Sequence, residues 1–260
     1  MDWGDNRLVI LSPTLPSGKV EILWLEAFCC KGSTHRAWQE SVVPHQTLRL
    51  DGSGPKDYLH LRSTVTRDVE VWHELRVTEE GACFELTFTH HGHDPIDVEW
   101  AQPCIQVAGF TGRTQQTYLD RCFIFTDRAE NYGLTLLSDL PRAEEALYRG
   151  GQVFVPAGIN PADVNPRPIS PIVPANGLIG CFSADNKWLL ATAWNSTQEL
   201  FQGVMTCIHS NFHIGGLEPG QVKWLYGRLY LLPNDIPLLL QHYQRDFPNS
   251  NGGVRSLLSC

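Results

Sequence analysis

The chain has 260 residues, 42% hydrophobic and 18% charged, enough apolar material for a sizeable core. Its 20 Lys and Arg face 28 Asp and Glu, a net charge of −8 with no basic stripe, which argues against nucleic acid and membrane surfaces as partners. No run nears the ~18 apolar residues of a membrane helix, and MDWGDNRLVILSPTLPSGK has no basic segment ahead of an apolar one, so a cytoplasmic protein is expected.

Alternating patterns separated by turn signals run through most of the chain, as in all-β proteins. In DVEVWHELRV (68–77), Val69, Val71, His73, Leu75 and Val77 share one face. CFELTFT then places Phe84, Leu86 and Phe88 together, and HHGHDP (90–95) reads as a hairpin turn. His90, His91 and His93 in that segment read as turn residues rather than a metal cluster. IDVEWAQPCIQV (96–107) predicts a strand with Trp100, Gln102, Cys104 and Gln106 on one face, where Pro103 marks an edge or a bulge.

VPAGINPADVNPRPISPIVPAN (155–176) holds six of the 17 prolines. That density excludes helix interiors and central strands, while the apolar residues among the prolines predict an ordered loop packed over the sheets. GLIGCFSADNKWLLATAW (177–194) predicts strand, turn and strand. ELFQGVMTCIH reads as one strand ending at His209, followed by a turn, with QVKWLYGRLYLL a further strand across LEPGQ. NDIPLLLQHYQRDF predicts the one convincing helix, about 235–247, capped by Asn234 or Asp235 with Pro237 in its first turn. A short helix is expected near 142–148.

The whole reads as a large antiparallel β-sandwich of roughly ten to fourteen strands. It forms a single domain over 1–248, with 249–260 a loose tail. The eight cysteines include no C-x-x-C and read mostly as free, buried thiols.

GACFELTFTHHGHDPIDVEWAQPC resembles the strand, turn and strand hairpin of the galactose-mutarotase-like supersandwich. HSNFHIGGLEPGQVKWLYGRLYLL resembles that group's L-x-PG turn into a closing strand, and NKWLLATAW its tryptophan-containing strand. The fold is shared by sugar epimerases and many polysaccharide-acting enzymes. The resemblance implies a concave sheet face that holds a saccharide, often with a histidine and a carboxylate moving protons. The mutarotases' own catalytic pair has no secure counterpart among these positions.

Several residues suit such chemistry. His209 and His73 are candidate proton-transfer groups with Glu199 as carboxylate partner, although His73 reads equally as a satisfied core residue. Trp194, Trp100, Gln102 and Gln202 suit a sugar, whose apolar face packs on an indole while amides take its hydroxyls. Asn165 and Arg167 stand on the proline-stiffened loop, where an arginine could clamp a carboxylate. His209 and His213 would chelate a metal only across a tight turn, because four extended residues span about 13 Å; no metal or other cofactor is otherwise expected.

The leading reading is therefore a soluble carbohydrate-active enzyme, an epimerase, lyase or glycosidase working by acid/base proton transfer. Alternatives are a non-catalytic carbohydrate-binding module or assembly subunit, and a metal-dependent enzyme using His209 and His213. The oligomeric state stays open, a homo-oligomer included.

Overall fold

The computed structural model describes residues 1–248 except 14, 129, 150 and 204, so the stretch 249–260 lies outside the described residues. In chain order the strands begin with β1 (Asp2–Gly4), β2 (Arg7–Leu11), β3 (Lys19–Cys29), β4 (Val42–Val43), β5 (His45–Arg49) and β6 (Tyr58–Val65). Next come β7 (Val69–Thr78), β8 (Gly81–His90), β9 (Trp100–Gln106), β10 (Cys122–Phe125), β11 (Leu134–Leu136) and β12 (Gln152–Phe154). The last are β13 (Ile179–Phe182), β14 (Trp188–Trp194), β15 (Thr197–Gln202), β16 (Cys207–His213) and β17 (Val222–Pro233). Strands of two to four residues, such as β1, β4 and β11, are too short to leave an alternating pattern, so the sequence shows fewer strands than the fold contains.

These strands form two antiparallel sheets. One has the order β1-β2-β3-β9-β16-β15-β12 with β4 beside β3; the other runs β11-β10-β13-β14-β17-β8-β7-β6-β5. Aromatic rings interlock between them: Trp24 meets Phe84 at 4.8 Å between centroids, and Trp194 meets Phe212 at 4.3 Å. Burial of each such side chain stabilises the sandwich by roughly 1.5–3 kcal/mol.

Three local expectations change in three dimensions. HHGHDP and LEPGQ do not close hairpins: β8 and β9 lie in different sheets, as do β16 and β17, so both segments cross between layers. ELFQGVMTCIH splits into β15 and β16, which pair with Phe201 opposite His209, and β16 continues through His213 instead of turning after His209.

Pro103 is likewise not on an edge, because β9 lies between β3 and β16. The β3 ladder shifts register between Leu23 and Ala27, and the β16 pairing jumps from Ile105–Ile208 to Ala101–Phe212. Pro103, with no N–H to donate, stands between those paired positions.

The helix Ile236–Asp246 starts at Asp235, whose carboxylate accepts from Leu238 N at 3.0 Å. Its Leu239 and Tyr243 pack with Phe123, Leu189, Ala191 and Tyr230 over the outer side of the nine-stranded sheet. A second short helix spans Glu144–Arg149. The proline-rich loop lies over the outer face of the other sheet, where Val155 and Val164 pack on Val153 and Phe201. Polar clips fasten it: Gly32 N donates to Asp163 Oδ1 at 2.7 Å and Thr34 Oγ1 to Pro161 O at 2.7 Å. No helix among the described residues is long and apolar enough to cross a membrane.

Candidate active site

Alternation along β16 sends Ile208, Ser210 and Phe212 toward the other sheet and Cys207, His209, Asn211 and His213 to the outer face. Pairing adds Glu199 and Phe201 from β15 to that face, since they stand opposite Asn211 and His209. From β9 come Trp100, Gln102 and Cys104. The proline-rich loop closes over these residues by lowering Asn165 onto them.

The result is a continuous buried polar network. Asn211 Nδ2 donates to Glu199 Oε1 at 2.8 Å, and Asn165 N donates to the same oxygen at 3.2 Å. Asn165 Nδ2 reaches Gln102 Oε1 at 2.9 Å, and Gln102 Nε2 reaches Glu26 Oε2 at 2.8 Å. Glu26 is exposed, so the network meets solvent at that rim.

Five buried polar atoms on this face have no protein partner: Glu199 Oε2, Asn211 Oδ1, Asn165 Oδ1, His209 Nδ1 and Trp100 Nε1. Orphaned atoms at this density are rare in a folded interior, because each costs about 1–3 kcal/mol unless something polar meets it.

Electrostatics single out one group. Glu199 is fully buried, and the loss of water pushes its carboxyl up to about 7 against the opposing pull of the Asn211 and Asn165 hydrogen bonds. Nearby, Cys104 and Cys207 hydrogen-bond to each other, which holds Cys207 well below the ordinary thiol range and Cys104 above it. Burial opposes a charge on His209, but the Cys207 sulfur, 3.2 Å from its Nε2, outweighs that and raises its pKa.

Solved structures similar to this chain include a putative aldose 1-epimerase from Escherichia coli. It is 12% identical, with 87% of this chain and 99% of that one covered, at a TM-score of 0.45. A galactose mutarotase-like protein from Clostridium acetobutylicum is 10% identical, covering 75% and 67%, at a TM-score of 0.41. A galactose 1-epimerase from Lactobacillus acidophilus is 10% identical, covering 75% and 68%, at 0.37. The resemblance drawn from the sequence is to the same group of proteins. No protein-family model and no curated protein matches the chain. At these identities no residue's role carries over, and the chemistry rests on the side chains themselves.

Of the residues singled out in the sequence, Glu199, His209, Gln102, Asn165 and Trp100 are brought to this face. Trp100 packs against Trp38 at 6.5 Å between centroids. Arg167 is half-buried beside the network, its Nη1 donating to Pro166 O at 3.3 Å.

Three others lie inside the sandwich. His73 is fully buried, and its Nδ1 accepts from Trp24 Nε1 at 3.1 Å. An indole nitrogen only donates, so the neutral imidazole carries its proton on Nε2 and donates to Ser63 Oγ at 2.8 Å. Trp194 is 1% exposed among Trp24, Phe84 and Phe212. Gln202 points inward as well, its Nε2 donating to Tyr118 Oη at 2.7 Å and Gly203 O at 2.9 Å.

His213 shares the strand and face of His209 but belongs to a separate group: its Nδ1 lies 2.7 Å from Gln198 Oε1 and 3.6 Å from Glu99 Oε1. Because the strand is extended through both histidines, about 13 Å separates them and a joint metal site is ruled out. Asn211, Glu26, Cys104 and Cys207 complete the site without having been expected in it. Each of the pairs Gln102/Cys104 and Cys207/His209 shows the two-residue spacing of one strand face, but only the pairing of β9 with β16 sets them side by side.

Proposed function

We propose that the outer face of the eight-stranded sheet binds a saccharide and that Glu199 transfers a proton there, in an epimerase-, lyase- or glycosidase-type reaction. The observation that carries this reading is the set of five orphaned polar atoms, all on one face with the Trp100 ring and the carboxamides of Gln102, Asn165 and Asn211. Amides and carboxylates match sugar hydroxyls, and an indole matches the apolar face of a pyranose. A carboxyl held near neutral pH suits general acid/base work, since both of its protonation states are then populated.

The test is a turnover screen over aldoses, uronic acids and oligosaccharides alongside calorimetric binding. Glu199→Gln should lower kcat by about 10²–10⁴ while leaving binding within a few-fold. Full turnover by this variant would remove the proton-transfer role.

A second reading is a non-catalytic carbohydrate-binding module; like the first, it requires the proline-rich loop to lift from this face, since Trp100 and Gln102 are 0% and 4% exposed. Glu199 and Asn211 are both wholly buried. Surface cavities of about 420 and 210 Å³ are lined instead around Leu134–Leu136 and around Ile96–Asp97 with Gly215–Leu217. Saccharide binding that depends on Trp100 and Gln102, with no turnover of any sugar, would establish this reading over the first.

A further inference from the structure

We propose that Cys104, Cys207 and His209 form a three-ligand zinc site in the outer face of the eight-stranded sheet. The proposal goes beyond the saccharide reading and does not depend on it.

The first argument is position. The two sulfurs and a ring nitrogen of His209 all lie within 4.8 Å of one another, and Cys207 Sγ is 3.2 Å from His209 Nε2. A tetrahedral zinc with bonds of about 2.3 Å to sulfur and 2.0–2.1 Å to nitrogen places neighbouring ligand atoms roughly 3.5–3.8 Å apart. The three donors therefore need only small side-chain adjustments to enclose an ion. Two of them come from alternate positions of β16 and the third from β9, so the sheet ladder holds the set.

The second argument is space. A β-carbon added at Gly203 would fall 2.2 Å from Cys207 Sγ and 2.7 Å from His209 Nε2. The backbone passes directly over the donors, and only glycine leaves that volume open. Gly203 is itself fixed, its carbonyl accepting from Tyr118 Oη at 2.8 Å and Gln202 Nε2 at 2.9 Å. This gives Gln202 and Tyr118 a positioning part in the same site. Gln106 Nε2 adds a hydrogen bond to Cys104 Sγ at 3.0 Å, the kind of outer support that tunes metal ligands.

The third argument is charge. All three residues are at most 3% exposed. A divalent cation with two thiolates and a neutral imidazole is neutral as a unit, which avoids burying net charge. Two sulfurs and one imidazole select a thiophilic ion, and zinc takes such sets without redox chemistry. No fourth Cys, His, Asp or Glu of the described residues joins the group. The fourth position is then left to a small ligand, as in zinc sites that act on substrates.

The experiment uses the full chain without a histidine tag, reduced and stripped of metal, then loaded with Zn²⁺ or with Co²⁺ as a coloured substitute. One ion per chain is expected, with a sulfur-to-cobalt charge-transfer band in the near ultraviolet. Cys104→Ser, Cys207→Ser and Gly203→Ala should each weaken Zn²⁺ on the order of a hundredfold or more, and His213→Ala should leave it unchanged. Because buried variants can fail to fold, the unmodified protein is also treated with a thiol-alkylating reagent under mild denaturant and mapped by mass spectrometry. Zn²⁺ should protect Cys104 and Cys207 and leave the labelling of Cys122 and Cys181 unaltered. Less than stoichiometric zinc, equal labelling of Cys104 and Cys207 with and without zinc, or a Cys104–Cys207 disulfide that forms in its place would overturn the assignment. Saccharide binding by Glu199→Gln and wild type, measured on zinc-free protein, tests the other proposal separately.

Discussion

Glu199 and Asn211 face each other across β15 and β16, and the amide of Asn211 donates to the carboxyl at 2.8 Å while the second carboxyl oxygen stays without a partner. A carboxyl so placed is harder to ionise in the folded chain than in the unfolded one. Its pKa rises from 4.5 to about 7, so between those values the folded state holds the extra proton and stability falls as pH rises. Above pH 7 the loss is complete, on the order of 3 kcal/mol at roughly 1.4 kcal/mol per pH unit. In urea unfolding across pH 4–8, the stability of the wild type relative to Glu199→Gln should fall with this slope; the difference is the readout because His73 contributes a slope of opposite sign below pH 6.5. A difference that stays flat with pH would mean that Glu199 is hydrated in solution.

His73 predicts a slope of the opposite sign. Burial, with a smaller contribution from His45, lowers its pKa from 6.5 to about 3. The unfolded chain therefore binds the proton more readily; stability is full above pH 6.5 and is lost as pH falls toward 3. His73→Gln can still accept from Trp24 and donate to Ser63 without titrating. It should flatten the acid limb by a few kcal/mol and leave any turnover unchanged. Reduced turnover with intact stability would instead tie His73 to the reaction.

Gly227 lies under the Trp194 ring, where an added β-carbon would sit 2.6 Å from Cδ2. Gly227→Ala should cost about 1–3 kcal/mol through overpacking, read as a lower Tm. Trp194→Phe in the same chain should recover part of the loss, because the smaller ring vacates the contact. Equal Tm values for Gly227→Ala and wild type would show that the core yields there.

Lys223 sends its ammonium into three backbone carbonyls, 2.6 Å from Ile214 O, 2.7 Å from Gly216 O and 3.4 Å from Gly215 O. Lys223→Met removes the donor and should destabilise the chain by roughly 1–3 kcal/mol. Faster amide exchange should appear across 214–217, where the chain crosses between sheets. Exchange rates equal to those of the wild type would show that the crossing holds without the lysine.

Part of the candidate site is legible in the amino-acid sequence. Glu199, His209, Gln102, Asn165 and Trp100 stand out there as polar or aromatic groups in strands and a stiff loop, and they share one face. Trp194, His73 and Gln202 meet the same criteria and lie in the interior. Alternation tells which side chains share a face of a strand; it does not tell whether that face meets water, a loop or the other sheet.

By itself the sequence determined the all-β class, strands within 68–77 and 83–89, a helix of about 235–247 capped by Asn234 or Asp235, and a long loop that its prolines keep from forming a strand, Ile169 making only an isolated bridge to Val153. Those features depend on neighbours two to four residues away, whose spacing is written in the chain. Only the tertiary structure decided which strand lies beside which, and therefore that Gln102 meets Asn165 across 63 positions and that Cys104 meets Cys207 and His209. Such contacts arise from two sheets burying their aromatic faces against each other, and the polar face left on the far side of the eight-stranded sheet is where the loop closes over Glu199.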